Sequence, residues 1–282
     1  MKKNVIRRKA PEPKSSTDHE IDARDSGVQS VDRALSIIET LAEDDEGYRL
    51  SDLAIRTGLS TSTVHRLLGT LENRRFVQFD RTGSKWHVGA RAFTVGATFA
   101  RRRNFSAQAV PYLRRLRDLT RETANLAVVD DEFIVVLTRM ESREIMRSLT
   151  KVGGRVAMVA SGVGKAVLAT YSDADVSAII HHHGMPRLTE KSIVRPGDLF
   201  KELEKIRRQG FAIDDEEACM GLRCIAAVVY NDCAEPLAAI SVSGMASRLT
   251  DERLPTLGET VREVAAELTV ALGGVMPAAR PA

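Results

Sequence analysis

SDLAIRTGLSTSTVHRLLGTLENRR, residues 51–75, reads as two helices about a tight turn. Ser51 is placed to cap the first helix, which buries Leu53, Ala54 and Ile55. Gly58 ends it, where the chain needs a left-handed residue and only glycine adopts that conformation cheaply. Ser60 or Thr61 caps the second helix, and Val64, Leu67, Leu68 and Leu71 recur at three- and four-residue spacing as its apolar stripe. The remaining face carries Thr61, Ser62, Thr63, His65 and Arg66 near the helix start. Short hydroxyls followed by a long cation suit entry into a major groove, where hydroxyls meet phosphates or bases and arginine forks onto guanine.

The flanks extend the pattern. SVDRALSIIETLAE, residues 30–43, sets Val31, Ala34, Leu35, Ile38 and Leu41 on one side of a preceding helix with Ser30 as its cap. FVQFDRTGSKWHVG, residues 76–89, alternates as two short strands about a turn at Asp80–Gly83. Three helices and a hairpin make a winged helix-turn-helix, with Arg81 and Lys85 on the wing in reach of backbone phosphate or minor groove. A helical pair packed for structure alone is the competing account of residues 51–75, and the attached wing argues against it.

At 282 residues the chain exceeds the usual single-domain size, and 43% hydrophobic content supports full cores. The net charge of +3 is unevenly spread: residues 1–27 hold seven Lys/Arg against five Asp/Glu, residues 28–105 twelve against nine, and the remainder 22 against 24. The phosphate-attracting excess is therefore in front. No run approaches the ~18–20 apolar residues of a membrane span. The basic start, MKKNVIRRK, leads into APEPKSSTDHE rather than an apolar stretch, which predicts no secretory signal. Cysteines at 219, 224 and 233, odd in number and without a paired metal spacing, fit a reducing cytoplasm.

Residues 1–27 read as a disordered tail, 28–89 as the winged domain, 90–107 as a linker helix, 108–276 as a second domain and 277–282 as a tail. In the second domain AVPYLRRLRDLTRETA, residues 109–124, spaces Leu113, Leu116 and Leu119 as a buried stripe. NLAVVDD and FIVVLTRME form a hairpin split at Asp130–Glu132, and REIMRSLTKVGG, residues 143–154, supplies a further strand. Helices near 162–171, 173–182 and 197–209 precede two strands, CIAAVVYND and PLAAISVSG, and a helix over 251–273 closes the chain. Hairpins followed by helices, without βαβ alternation, predict a largely antiparallel sheet with helices alongside, an α+β arrangement.

Three clusters carry the chemistry. In ASGVGKAVLAT, residues 160–170, Ser161 caps a helix whose first amides, at Gly162, Val163 and Gly164, form a ready anion site. It is no P-loop, because Val159 and Ala166 stand where glycine and Ser/Thr are required, and Ser161 lacks the glycine spacing of a nucleophile elbow. An ordinary capped helix start is the alternative. FAIDDEEACMGLRCIAA, residues 211–227, sets Asp214, Asp215, Glu216 and Glu217 before a glycine turn and opens a strand at Cys224; adjacent acids diverge, so a solvated loop without metal is expected. AISVSG, residues 239–244, alternates so that Ser241 and Ser243 share one strand face. His181–His183, consecutive near a helix end, do not converge on one ion.

VQSVDRALSIIETL, LSTSTVHRLLGTLENRRFV, ASGVGKAVLA, GFAIDDEEACMGLRCIAAVV and AISVSG, in this order and spacing, closely resemble the IclR family of bacterial transcriptional regulators over residues 28–274. The resemblance implies a winged helix-turn-helix, a linker helix and a GAF-like mixed α/β effector domain. It also implies homodimers, often paired as dimers of dimers, on palindromic double-stranded operator DNA. No cofactor is expected, and nothing in the sequence resembles a complete catalytic set. From members that sense small oxo-acids such as glyoxylate it carries over an effector pocket of Gly162, Val163, Asp214, Cys224, Ser241 and Ser243. Amides and hydroxyls would hold a small carboxylate there without a formal positive charge, and Cys224 would be a wall or a reversible aldehyde partner. Val163 stands where smaller residues are frequent, which favours a two- or three-carbon effector; Ile145, Met146 and Leu149 are candidates for an apolar lid. An aromatic-acid effector, or a thiol-based redox sensor using Cys219, Cys224 and Cys233, are the alternatives. An enzyme with Cys224 as nucleophile lacks a nearby histidine.

Overall fold

The computed structural model describes residues 28–102, 105–131, 133–142 and 151–277. The chain divides into two compact units, one ending at Thr98 and the other beginning at Phe99. No described helix is long and apolar enough to cross a membrane.

The first unit orders α1 (Gln29–Ala42), α2 (Leu50–Thr57), α3 (Thr61–Asn73), β1 (Val77–Asp80), β2 (Lys85–Val88) and the start of α4 (Ala90–Arg102). Ile37, Leu41, Leu53, Val64, Leu68, Val77 and Trp86 close one core. At about 1.5–3 kcal/mol for each large apolar side chain buried, this core outweighs any cap or surface pair in holding the unit. Gly58 ends α2 in the left-handed region, φ 66°. Ser60, not Thr61, caps α3, its hydroxyl accepting from the Thr63 amide. β1 and β2 pair antiparallel from Val77↔Val88 to Asp80↔Lys85, and the turn is tied by Asp80, whose carboxylate accepts from the Thr82 and Gly83 amides.

Local expectations fail where helix phase is involved. Ser30 and Ser51 are not caps: α1 and α2 start earlier, after Val28 and Arg49, and neither cap residue makes a side-chain bond. The buried face of α1 is Ile37, Thr40 and Leu41, while Val31 and Leu35 are more than half exposed. Ile55 is 80% exposed, because a two-turn helix turns only Leu53 fully inward.

The second unit holds one six-stranded sheet in the order β5-β4-β3-β8-β7-β6, with β3 (Thr123–Asp130), β4 (Phe133–Met140), β5 (Arg155–Ala157), β6 (Ala212–Asp215), β7 (Leu222–Tyr230) and β8 (Pro236–Met245). Every neighbouring pair is antiparallel. Side chains alternate between faces. Ala124, Leu126, Val128, Ile225, Val229, Ile240 and Val242 pack with Leu113 and Leu116 of α5 (Phe105–Thr120) and with Val261, Val264 and Leu268 of α9 (Leu254–Ala271). The other face, through Ala127, Ala226 and Ala239, meets α6 (Gly162–Leu168), α7 (Asp173–His183) and α8 (Pro196–Gln209).

Several boundaries differ from the reading by pattern. Residues 105–107 belong to α5 rather than to a linker helix running from 90 to 107, and Leu119 is 58% exposed, leaving Ala109, Leu113 and Leu116 as the buried stripe. Residues 212–215 form edge strand β6 rather than a solvated loop. The proposed strand over 143–154 and the lid residues Ile145, Met146 and Leu149 lie largely or wholly outside the described residues, as do the tail 1–27 and all but Pro277 of the tail 277–282.

Candidate functional site

Two regions carry the candidate residues, one in each unit. On α3, Thr61, Ser62, His65 and Arg66 are exposed on one face, spaced i, i+1, i+4 and i+5. Thr63 is half-buried and its hydroxyl lies 2.9 Å from that of Ser60, so it serves the cap as much as the face. Ser62 meets the same hydroxyl at 3.1 Å. Because α3 starts there, its unbonded amides and positive dipole end lie beside these hydroxyls, an arrangement that takes phosphate. On the wing Arg81 is exposed, while Lys85 is half-buried with Glu46 at 3.9 Å. Arg56 is held off this face by Glu43 at 3.1 Å and by the Tyr48 ring, 4.6 Å from its centroid.

In the second unit Gly162, Val163, Asp214, Cys224, Ser241 and Ser243 all line one cavity of about 100 Å³ on the α6 face of the sheet. Register brings them together: Asp214 opposes Cys224, and Cys224 opposes Ser243. Ser161 caps α6 by accepting from the Gly164 amide at 3.0 Å, so that amide is used and only those of Gly162 and Val163 lack an acceptor within the helix. Gly164 itself permits a close approach, since an added Cβ would collide with the backbone of Met158.

The expected absence of positive charge at the cavity is overturned. Arg139 lines it, and burial lowers its pKa against the opposing effect of Glu141. Its Nε donates to Asn125 Oδ1 at 3.1 Å, and Asn125 Nδ2 donates to Ser241 Oγ and Ser243 Oγ, each at 3.4 Å. Asn125 is 5% exposed and opposes both Arg139 and Ser241 in the sheet. Neither residue had a sequence signal: Asn125 begins an apolar run, and Arg139 sits among polar residues at the end of another.

Lys165 was also missed. It is fully buried behind the cavity wall, donating to Ile213 O at 2.7 Å and to Glu217, with Glu202 at 4.0 Å. The four acids divide accordingly. Asp215 and Glu216 face outward to Lys191 at 3.2 and 2.5 Å, and Asp215 also pairs with Arg223 at 2.5 Å. Against the cost of burial, the hydrogen bonds from Arg223 and Lys191 hold Asp215 below its ordinary value. Asp214 and Glu217 turn inward, 5% and 6% exposed. Asp214 Oδ1 accepts from the Glu217 and Ala218 amides at 2.8 and 3.3 Å. Burial, then the neighbouring Glu217 charge, raise its pKa to about 6, with the amide bonds and Lys165 opposing.

Burial and the Asp214 charge push the Cys224 thiol up to about 11, against the opposing hydroxyls of Ser243 and Ser241. Such a thiol holds little thiolate at neutral pH, which disfavours nucleophilic and redox roles. His181, His182 and His183 are exposed at the end of α7, and no group of three among the described residues could hold a metal.

Comparison with known proteins agrees with this division. Residues 30–81 match the IclR helix-turn-helix domain, and residues 97–270 match the domain described as bacterial transcriptional regulator IclR C-terminal. The chain is 40% identical over 249 residues to the acetate operon repressor of Salmonella typhimurium, covering 88% of this chain and 91% of that one. It is 35% identical over 247 residues to the HTH-type transcriptional repressor AllR of Escherichia coli, with the same coverage of 88% and 91%. The crystal structure of an IclR transcriptional regulator from Alicyclobacillus acidocaldarius superposes with a TM-score of 0.74 at 23% identity, covering 88% of this chain and 100% of that one.

Proposed function

Because the chain belongs to the IclR family of bacterial transcriptional regulators, we propose that it is a cytoplasmic operator-binding repressor controlled by a small carboxylate, glyoxylate or a similar 2-oxo acid. The observation that carries the effector reading is the convergence of Gly162, Val163, Asp214, Cys224, Ser241 and Ser243 on one cavity of about 100 Å³. Sites for drug-sized ligands run from about 300 Å³ upward, so this volume favours a two- or three-carbon acid over an aromatic one. Hydroxyls and the first amides of α6 supply donors to an anion, and Arg139 lines the same cavity.

Operator DNA is read by Thr61, Ser62, Thr63, His65 and Arg66 of α3, with Arg81 and Lys85 of the wing on backbone or minor groove. The chain acts as a homodimer that pairs into a dimer of dimers, which sets two recognition helices on a palindrome. In support, Val28, Val31, Leu35, Phe93 and Val95 of the first unit are each more than half exposed, apolar side chains of the kind a second copy would cover.

Effector and operator binding are coupled, and the coupling is reciprocal. The test takes a duplex selected from a random library by the full chain and titrates it by fluorescence anisotropy with and without glyoxylate. Calorimetry then measures glyoxylate affinity with and without the duplex. Both affinities should change by one common factor; an operator affinity indifferent to glyoxylate and to other small acids would reject the reading.

A further inference from the structure

The cavity has a donor end and an acceptor end, and the hydrogen-bond relay across β4, β3 and β8 sets which is which. An arginine only donates. With Arg139 Nε on Asn125 Oδ1, the Asn125 amide is held in one of its two orientations, and its Nδ2 must face Ser241 and Ser243. Both serine oxygens then accept from Asn125, so their O–H protons turn away from it, toward Cys224 Sγ or a ligand that displaces that weak acceptor. At the other end Asp214 spends Oδ1 on two backbone amides, which leaves Oδ2 as the acceptor beside Cys224. Near neutral pH this group is mainly the carboxylate, since its pKa is about 6.

We propose that Arg139, acting through Asn125, is the positioning residue that polarises this cavity, so that it selects a short monocarboxylic acid bearing a hydroxyl donor on the carbon next to the carboxylate. Such ligands are 2-hydroxy acids and 2-oxo acids in their hydrated, gem-diol form. The carboxylate takes the serine protons, and the hydroxyl donates to Asp214. A second carboxylate in place of the hydroxyl meets Asp214 as a like charge, and a methyl group offers it nothing. This inference rests on the cavity being the effector site.

The test is calorimetry on the full chain at pH 7.5 with four probes: glycolate, glyoxylate, acetate and oxalate. The variants are Arg139→Lys, Arg139→Gln, Asp214→Asn and Ser243→Ala, each checked for folding by circular dichroism. Glycolate and glyoxylate should bind the unsubstituted chain at least tenfold more tightly than acetate or oxalate. Arg139→Lys, still only a donor, should keep that order, whereas Arg139→Gln, which can both donate and accept, should weaken glycolate at least tenfold. Asp214→Asn should narrow the gap between oxalate and glycolate by tenfold or more. Oxalate binding as tightly as glycolate overturns the inference, as does glycolate binding that survives Arg139→Gln but is lost in Ser243→Ala; both leave the effector site standing. Absence of binding by all four probes, or binding indifferent to Ser243→Ala, brings down the site assignment and the inference together.

Discussion

Replacing Lys165 by methionine probes the most deeply buried charge in the second unit. Its ammonium is fully buried, bonded to Glu217 and to the Ile213 carbonyl at 2.7 Å, with Glu202 at 4.0 Å. Methionine fills similar volume, so the loss is electrostatic. Glu217, 6% exposed and already carrying a buried oxygen without a partner, would be left as an uncompensated charge. Breaking a buried pair from one side costs about 3–5 kcal/mol, which for a unit of this size lowers Tm by on the order of 10 °C. Substituting both partners, Lys165→Met with Glu217→Met, removes the stranded charge and leaves mainly the orphaned Ile213 carbonyl, a cost of about 1–3 kcal/mol. Urea unfolding followed by far-ultraviolet circular dichroism measures the effect. The only tryptophan, Trp86, lies in the core of the other unit and gives an internal control by fluorescence. A single substitution costing under about 1 kcal/mol, or a double substitution costing the sum of the two singles, would refute the reasoning that desolvated charge dominates here.

Further outcomes follow from the same geometry. Gly69 lies inside α3 with no atom within 4 Å of an added Cβ, so Gly69→Ala should stabilise the first unit by about 1 kcal/mol; an unchanged or lower midpoint in the Trp86 signal would contradict this. Asp214→Asn keeps the Oδ1 acceptor and removes a carboxylate whose pKa is raised from 3.8 to about 6. Between those values the folded chain retains a proton that the unfolded chain has lost, so stability falls as pH rises through the window and stays reduced above it, by up to about 3 kcal/mol. The variant should therefore be the more stable form at pH 7.5 and lose its advantage towards pH 4, and a pH-independent difference in urea midpoint would disprove the cause. With its thiol raised to about 11, Cys224 should react with iodoacetamide at pH 8 more slowly than the exposed Cys233; peptide mapping that finds Cys224 alkylated first would show the assignment to be wrong.

The helix-turn-helix was legible because its signals are local: the left-handed Gly58, the Ser60 cap and the three- and four-residue spacing of Val64 and Leu68 each act within one turn. Phase was less legible than period. α1 carries apolar residues on more than one side, so pattern alone placed Leu41 correctly but chose Val31 and Leu35 and passed over Ile37, which the core takes. At the cavity, motif resemblance named six residues that line it, yet omitted Arg139, Asn125 and the buried Lys165. Arg139 and Asn125 gain their roles from strand register, which pairs Asn125 with Arg139 on one side and Ser241 on the other. The acids at 214–217 divide inward and outward because β6 pairs with β7, a contact that adjacency in sequence conceals.

The sheet order has a consequence for when sensing becomes possible. β3, β4 and β5 come from the earlier half of the second unit and β6, β7 and β8 from the later half; β3 against β8 is the one seam joining them in the sheet. The cavity straddles that seam, and Asn125 reaches across it to Ser241, 116 positions further along the chain. During synthesis, therefore, no part of the chain short of β8 can assemble the full set of donors. A ligand lying across the seam acts as a clasp, and its presence should slow hydrogen exchange most in β3 and β8. Under the proposed function, sensing would thereby belong to the finished protein and be withheld from partly made or partly opened chains.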